Sequence, residues 1–242
     1  MFSLARIIYL SQKEPIIISF DGNIGSGKST IVHYFERYFP KFCNLKTYHY
    51  KICFLDEPVN QWESIVDISD GKNIIEKFYN NNKDYAFQFQ MMAYISRLSL
   101  LRKALKEDYD IIFTERSIYT DKNVFAQMLY DYKKMSNTEF LIYSKWFNEF
   151  SDVIENIKTV YIRTLPEICE KRVLKRSRAG ENIPLSYLQD CHNYHDVWLN
   201  TPDQIESGKV LVIDGNIETN TSVFIENNYY NILMEKVFKF MN

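Results

Sequence analysis

The sequence predicts an α/β fold in which a five-stranded parallel sheet is covered by helices on both faces. Short apolar runs rich in β-branched residues alternate with longer segments of helical periodicity. This alternation is typical of parallel strands joined by crossover helices. The chain has 242 residues, of which 46% are hydrophobic and 25% charged, and this suits one domain with a sizeable core. We therefore predict a single domain over residues 1–242, beginning with an arm at residues 1–14.

Five buried runs are the predicted strands of this sheet. They are residues 16–20, 51–55, 110–114, 158–162 and 210–213. A helix is predicted to begin near Lys28 and to continue to residue 39. The longest predicted helix covers residues 85–105, and Asp84 is its expected N-cap because a carboxylate can accept the free N–H groups of a first turn. Each helix thus connects consecutive strands or follows one.

The turn after the first predicted strand fits the phosphate-binding pattern G-x-x-x-x-G-K-[ST] in full. Its residues are Gly22, Asn23, Ile24, Gly25, Ser26, Gly27, Lys28 and Ser29, followed by Thr30. Glycines let backbone N–H groups surround phosphate oxygens, and the helix N-terminus adds partial positive charge. We expect Lys28 to reach the β- and γ-phosphates and the Ser29 hydroxyl to bind Mg²⁺. The sequence therefore predicts a P-loop NTPase fold that binds a nucleoside triphosphate.

Charged residues follow the second and third predicted strands. Glu57 comes shortly after the second strand, and Glu115 and Arg116 come directly after the third. Ligands of such sheets collect at the carboxyl ends of the strands, so these side chains should lie near the phosphates. They could supply a general base, a carboxylate for the metal and a positive charge for a phosphoryl group. The alternatives are a surface acid at Glu57 and a structural ion pair between Glu115 and Arg116.

A stripe on the longest helix predicts a pocket for a flat ligand. Gln90, Ala93 and Arg97 are spaced i, i+3 and i+7 on one helical face. The Gln90 amide offers both a donor and an acceptor to a base edge, and Phe89 and Phe125 can contact a ring. The alternative is an exposed polar stripe.

With these blocks, the sequence resembles the deoxynucleoside kinase family, which includes deoxycytidine, deoxyguanosine and mitochondrial thymidine kinases. The resemblance extends from about residue 16 to residue 198. Besides the phosphate loop it rests on Glu57-Pro58-Val59 with Trp62, Phe87-Gln88-Phe89-Gln90, Glu115-Arg116-Ser117, and Ile183-Pro184-Leu185 with Tyr187-Leu188. It implies transfer of phosphate from Mg-ATP to the 5′-hydroxyl of a deoxynucleoside, in nucleotide salvage. A nucleoside monophosphate kinase and a non-catalytic kinase-like subunit are the alternatives.

The resemblance also implies roles for individual residues. Glu57 matches the general base for the 5′-hydroxyl, and Arg116 matches the arginine that holds the 5′-oxygen and the phosphoryl group, with Lys28 on the phosphates. Glu115 matches the acid that organises Mg²⁺ with Ser29 or its neighbour Thr30. A short arginine-rich lid, about residues 172–184, is expected to contact ATP through Arg172, Arg176 and Arg178. The end of the fifth strand is expected to contact ATP through Asp214. The positions expected to contact the deoxynucleoside, besides Glu57 and Arg116, are Trp62, Phe78, Tyr79, Phe89, Gln90, Ala93, Arg97, Asp121, Phe125 and Glu181.

Two of these positions separate base classes in the family. Deoxycytidine and deoxyguanosine kinases keep an arginine and an aspartate where this sequence has Arg97 and Asp121, whereas thymidine-accepting members do not. The resemblance therefore implies deoxyguanosine, deoxyadenosine or deoxycytidine as the acceptor, with a thymidine-preferring or broad-specificity kinase as the alternative. An ion pair between Arg97 and Asp121 without any base contact is a second alternative.

Composition and charge exclude other classes of partner. The net charge of −2 and the pI of about 6.1 predict no binding to a nucleic acid polymer or a membrane. The four cysteines lack metal-binding spacing, which predicts free thiols in a reducing compartment. We expect a cytoplasmic protein, with a mitochondrial one as the alternative because the first acid is Glu14. The family resemblance further implies a homodimer, for which residues 137–151 could supply the contact face.

Overall fold

The computed structural model of the protein describes residues 14–151, 156–177, 183–217 and 223–242. Five strands in these residues form one parallel sheet with the order β2-β3-β1-β4-β5. The strands are β1 Ile16–Asp21, β2 Ile52–Leu55, β3 Ile111–Glu115, β4 Ile157–Arg163 and β5 Val210–Asp214. The predicted five-stranded parallel sheet is confirmed, and each strand boundary lies within one residue of the prediction.

Helices follow every strand of the sheet. They are α1 Lys28–Leu45, α2 Val59–Glu63, α3 Ile74–Asn80, α4 Asn82–Ala104, α5 with its consecutive segments Ile118–Thr120, Asp121–Ala126 and Gln127–Asp131, α6 Asn137–Phe150, α7 Pro166–Arg176, α8 Leu185–Leu199, α9 Pro202–Glu206 and α10 Val223–Met241. The middle segment of α5 is a π-helix, and the segments on either side of it are α-helical. No helix in the described residues is both long and apolar enough to cross a bilayer.

Alternate residues of the strands pack against two different helical layers. Phe20 and Phe113 face the layer formed by α1 and α10, and Phe35 of α1 contacts both of them. Ile17 and Ile112 belong to the opposite layer, formed mainly by α4, α5 and α6. Because successive side chains of a strand point to opposite faces, a fully buried sheet needs apolar residues at nearly every position. Polar residues, among them Glu115 and Arg116, instead lie at or directly after the carboxyl ends of the strands.

Two helix boundaries differ from the prediction. The predicted N-cap Asp84 is wrong, because α4 begins at Asn82 and the side chain of Asn81 accepts the backbone N–H of Asp84 at 3.4 Å. Asp84 instead lies in the first turn, where its carboxylate suits the helix dipole. α1 continues past Pro40 to Leu45, since buried Cys43 extends its apolar face. Tertiary packing thus lengthened α1, whereas the local Asn81 cap sets the start of α4.

Candidate active site

The phosphate loop connects β1 to α1 at the open edge of the sheet. Gly25 has a φ of +77°, and a Cβ atom there would lie 2.6 Å from the carbonyl oxygen of Cys169 in α7. Only glycine therefore allows this loop to approach α7 so closely. Lys28 turns its ammonium back into the loop and donates to the carbonyl oxygens of Asn23 at 2.7 Å and Gly22 at 3.2 Å. Burial and the positive charge of Arg116 lower the pKa of Lys28 to about 7.

Two side chains that follow β4 in the chain hold the phosphate loop. Thr164, directly after β4, donates its hydroxyl to the Ser26 carbonyl at 3.1 Å. Arg172 of α7 donates to the same carbonyl at 3.1 Å and to the carbonyl of Ile217 at 2.8 Å. The predicted ATP-binding Arg172 therefore also links the phosphate loop to the segment that follows β5.

Ser29 and Glu115 form an oxygen-rich pair beside the phosphate loop. The Ser29 hydroxyl donates to Oε1 of Glu115 at 2.8 Å, and Glu115 is buried at the end of β3. The described residues contain no group of three or more His, Cys, Asp or Glu side chains that could hold a metal. One hydroxyl and one carboxylate nevertheless fit Mg²⁺, which takes few protein ligands and fills its remaining positions with phosphate oxygens and water.

Glu57 lies between two guanidinium groups. Its Oε1 accepts a hydrogen bond from Nη2 of Arg97 at 2.6 Å and lies 3.3 Å from Nε of Arg116. Burial opposes ionisation of this carboxyl, but the two guanidiniums and Lys28 outweigh it and lower the pKa of Glu57 to about 2. Glu57 is therefore ionised throughout the physiological pH range.

Arg97 and Asp121 form the predicted ion pair across the cavity wall. Nε of Arg97 donates to both carboxylate oxygens of Asp121, at 3.2 and 3.1 Å, and both residues are buried. The Arg97 guanidinium also lies over the ring of Trp62 at 5.1 Å and donates to the Glu115 carbonyl at 3.2 Å. Burial raises the pKa of Asp121 to about 6 although Arg97 opposes this, so the pair is charged at neutral pH.

Arg116 adopts a left-handed backbone conformation with a φ of +64°. This costs energy for a residue with a Cβ atom, and such conformations cluster at functional sites. The turn is held by Asp21, whose carboxylate accepts the backbone N–H of Ser117 at 3.2 Å. As a result, the Arg116 guanidinium donates to the Gly22 carbonyl at 2.7 Å and lies 4.9 Å from the ring centre of Phe125. Arg116 thus contacts the phosphate loop and Glu57 at once.

The π-helical segment of α5 carries two of the predicted pocket residues. Asp121 opens the segment and Phe125 lies near its end, and both line the cavity. A π-helical turn has more residues than an α-helical turn, so residues four apart are brought closer to one face, and such segments are frequent at functional sites. The sequence pattern did not predict this segment.

Gln90 has a buried oxygen without a partner. The residue is 2% exposed, and no described group donates to its Oε1. Buried polar atoms in native proteins are nearly always hydrogen-bonded, so an orphaned acceptor on a residue that lines a cavity indicates a missing ligand or water. Phe78 and Phe89 stack beside it with ring centres 4.7 Å apart, and Trp62 meets Phe89 edge-on at 5.5 Å. This corner offers flat apolar walls and one hydrogen-bond acceptor.

Most of these groups line one cavity of about 720 Å³ at the carboxyl edge of the sheet. The predicted site residues that line it are Ile24, Gly25, Ser26, Gly27, Lys28, Ser29, Thr30, Glu57, Trp62, Phe78, Tyr79, Phe89, Gln90, Ala93, Arg97, Glu115, Arg116, Asp121, Phe125, Arg172 and Arg176. Gly22 and Asn23 instead bond Lys28 through their carbonyl oxygens. Asp214 is exposed at the end of β5, where its carboxylate accepts the Asn216 N–H at 2.9 Å.

The predicted arm and part of the predicted lid lie outside the described residues. Residues 1–13, and Arg178 and Glu181 of the lid, belong to these parts of the chain. The remaining lid arginines, Arg172 and Arg176, lie at the end of α7.

The cavity has further lining residues that sequence reasoning did not assign to it. They are Ile31, Ile75, Ile162, Ile168, Lys171, Lys175, Tyr187, Ile217, Tyr229 and Tyr230. Gly215, which directly follows Asp214 at the strand end expected to contact ATP, lines the cavity as well. Lys171 and Lys175 share the i, i+4 spacing of the arginines on α7, and this signal could have included them. Tyr229 and Tyr230 come from α10, far along the chain, and nothing local to them indicates a site.

Comparisons with known proteins agree on one family. The family model described as deoxynucleoside kinase matches residues 18–242. A probable deoxycytidine kinase of fowlpox virus is 33% identical over 228 residues, which cover 90% of this chain and 88% of the viral protein. Human deoxycytidine kinase is 29% identical over 93% of this chain and 90% of its own length. The mitochondrial deoxyguanosine kinase of Xenopus laevis is 27% identical over 75% of this chain and 72% of its own length.

Proposed function

This chain belongs to the deoxynucleoside kinase family and is an ATP-dependent deoxynucleoside kinase, and we propose that its acceptor is deoxycytidine, deoxyguanosine or deoxyadenosine rather than thymidine. The observation that carries this proposal is the buried pocket corner formed by Gln90, Arg97 and Asp121. It combines one orphaned acceptor, a carboxylate and a guanidinium at the wall of one cavity.

The charges of this corner favour a base with an amino group. The orphaned oxygen of Gln90 and the carboxylate of Asp121 are acceptors, and cytosine, adenine and guanine each carry an exocyclic amino group that can donate to them. Thymine has no exocyclic amino group; where cytosine has one it presents a carbonyl oxygen, which a carboxylate repels. It also adds a methyl group where the Arg97–Asp121 pair takes up space. The names of the relatives, deoxycytidine and deoxyguanosine kinases, support the same choice.

The phosphate loop binds the donor in this proposal. Its N–H groups and the N-terminus of α1 hold the phosphates, Lys28 leaves the Gly22 and Asn23 carbonyls to pair with them, and Arg172 and Arg176 approach from α7. Ser29 and Glu115 would hold Mg²⁺ with the phosphate oxygens, and Thr30 lies next to them. The ion would supply charge neutralisation on the transferring phosphoryl group.

Glu57 and Arg116 act on the 5′-hydroxyl in this proposal. The ionised Glu57 carboxylate accepts the hydroxyl hydrogen and orients the oxygen toward the γ-phosphate. It takes the proton as the new P–O bond forms and the bond from the γ-phosphorus to ADP breaks, so that ADP leaves. Arg116, 3.3 Å from Glu57 and bonded to the phosphate loop, offers positive charge between the attacking oxygen and the phosphoryl group. A carboxylate with a pKa of about 2 is a weak base. This is sufficient because phosphoryl transfer depends mainly on positioning and electrostatics.

We also propose a homodimer in a reducing compartment, the cytoplasm. α6 exposes Leu141, Ile142 and Trp146, and neighbouring α4 exposes Ile95, with exposed fractions of 58, 42, 49 and 50%. Exposed apolar side chains on two neighbouring helices support self-association. All four cysteines are free, which supports a reducing compartment. Light scattering of wild type and Trp146→Glu tests the dimer; a wild-type monomer would overturn it.

Steady-state kinetics with the four deoxynucleosides tests the acceptor. We expect kcat/KM for deoxycytidine, deoxyguanosine or deoxyadenosine to exceed that for thymidine by at least about tenfold. Thymidine as the best substrate would overturn the base assignment. Phosphorylation of deoxynucleoside monophosphates but of no deoxynucleoside would overturn the acceptor class.

A further inference from the structure

Lys77 on α3 is a buried ammonium group outside the reacting part of the cavity. Its side chain is 9% exposed, and its Nζ lies 2.5 Å from Oδ2 of Asp67, 3.2 Å from Oδ2 of Asp70 and 3.2 Å from the hydroxyl of Tyr85. It also lies 5.1 Å from the centre of the Tyr85 ring. The ammonium of Lys77 therefore contacts two carboxylates and one hydroxyl. These residues, Lys77, Asp67, Asp70 and Tyr85, are here called the Lys77 cluster.

The members of the Lys77 cluster come from three separate segments. Asp67 and Asp70 belong to the loop between α2 and α3, Lys77 to α3, and Tyr85 to the first turn of α4. The loop has a defined shape, because the N–H of Asp67 bonds the Lys72 carbonyl at 2.9 Å and that of Gly71 bonds the Asp67 carbonyl at 2.8 Å. Lys77 thus connects a structured loop to two helices.

α3 carries the part of the cavity wall that faces the proposed deoxynucleoside. Ile75, Phe78 and Tyr79 all line the cavity, and Phe78 directly follows Lys77. Phe78 stacks on Phe89 of α4, so the angle between α3 and α4 decides where both rings lie. α3 has only seven residues and is too short to be stable by itself, so its position depends on contacts such as those of Lys77.

We propose that Lys77 is a positioning residue for the acceptor pocket: through Asp67, Asp70 and Tyr85 it holds α3 against α4 and so places Phe78 and Tyr79 for the deoxynucleoside. This inference rests on the proposed function, because it assigns the α3 side of the cavity to the acceptor.

The electrostatics of the cluster agree with this role. Hydrogen bonds from Lys77 and Ser69 lower the pKa of Asp67, and the bond to Asp67 raises the pKa of Lys77, so both groups stay charged over the range in which the enzyme can be assayed. A hydrogen-bonded ammonium fixes direction as well as distance, which an apolar side chain at this position would not do.

The test compares Lys77→Met with Lys72→Met, which removes the same charge from an exposed position of the neighbouring loop. We expect Lys77→Met to raise KM for the deoxynucleoside about fivefold, with kcat and KM for ATP changed less than about twofold. Lys72→Met should match wild type in all three constants. Lys77→Arg, which keeps the charge and the donors, should restore part of the affinity.

The partners provide a second variant that does not depend on Lys77→Met folding. Asp67→Asn with Asp70→Asn should raise the same KM, and combining both changes with Lys77→Met should add little, because all of them break one cluster. A Lys77→Met enzyme with a lower Tm and an unchanged KM for the deoxynucleoside would reduce Lys77 to a structural residue and overturn the inference. Equal increases in KM for ATP and deoxynucleoside would overturn it as well. A wild-type protein without deoxynucleoside kinase activity would instead contradict the proposed function.

Discussion

The proposed donor half of the cavity and its proposed acceptor half differ in how their charges are balanced. In the donor half, Lys28 is surrounded by backbone carbonyls, and Lys171, Lys175 and Arg176 line the cavity nearby. In the acceptor half, the two guanidiniums of Arg97 and Arg116 face the carboxylates of Glu57 and Asp121.

This difference matches the charges of the two substrates. The donor half has excess positive charge that a triphosphate can neutralise, whereas the four charges of the acceptor half already cancel one another. A neutral deoxynucleoside leaves the net charge of the acceptor half unchanged, whereas an acceptor that carries its own phosphate would need an additional cation there. This distribution of charge therefore supports a nucleoside rather than a nucleotide as the acceptor. Substitutions in each half test this assignment.

The largest effect is expected for Glu57→Gln in the acceptor half. The amide cannot take the 5′-hydroxyl proton, and it leaves Arg97 and Arg116 without their shared counter-charge, so we expect kcat to fall about 10³-fold. The Kd of Mg-ATP should stay within about threefold of wild type, since Glu57 is assigned to the other half. Rapid-quench kinetics and ATP titration measure the two quantities. A decrease in kcat of less than tenfold would show that Glu57 is not the base.

Lys28→Met tests the donor half in the same way. Loss of the ammonium should lower kcat/KM for ATP about 10²-fold, because this charge meets the β- and γ-phosphates. The Kd of the deoxynucleoside, measured without ATP, should change little. A deoxynucleoside Kd that rises as much as that of ATP would contradict the division into two halves.

A smaller effect is expected for the double substitution Arg97→Met, Asp121→Ala. It removes one positive and one negative charge together, so no buried charge is left without a partner. We expect the ratio of kcat/KM for deoxycytidine to that for thymidine to fall about 20-fold. An unchanged ratio would mean that the ion pair serves the fold and not the base.

The smallest effect concerns pH. Lys28 has a pKa of about 7 in the free protein, and bound phosphates should raise it, so ATP binding takes up a proton. Affinity for Mg-ATP is then highest below pH 7 and falls as pH rises, by at most about tenfold per unit. Calorimetry in two buffers of different ionisation enthalpy measures the proton uptake at pH 8. Proton release on binding would contradict the assigned pKa.

Much of the fold and the donor half could be predicted from the sequence because their signals are local. The strands are short apolar runs, and the phosphate loop is a continuous pattern with residues such as Gly25 and Lys28 at set spacing. The stripe of Gln90 and Arg97 was predictable for the same reason, since a helix places residues i and i+7 on one face. Family resemblance extended this to Asp121 and gave Glu57, already predicted from its place after a strand, its role as the base.

The rest depended on contacts between segments that are distant in the chain. The sequence predicted acids and arginines at one sheet edge, but not that Glu57 lies between Arg97 and Arg116, nor the pKa values that follow. One error was local: the N-cap of α4 is Asn81 and not the predicted Asp84, because both side chains are capable of capping this turn. The sequence also did not indicate the π-helical turn at Asp121 or the contacts of the Lys77 cluster.

The sequence by itself therefore determined which chemical groups reach the site, because strand ends, loop patterns and helix periodicity are properties of neighbouring residues. Only the tertiary structure decided how those groups pair. Pairing depends on the directions of side chains from the segments after β2 and β3 and from α4 and α5, all of which surround one cavity. Lys28, readable from its motif, acquires a pKa of about 7 only where burial and Arg116 surround it.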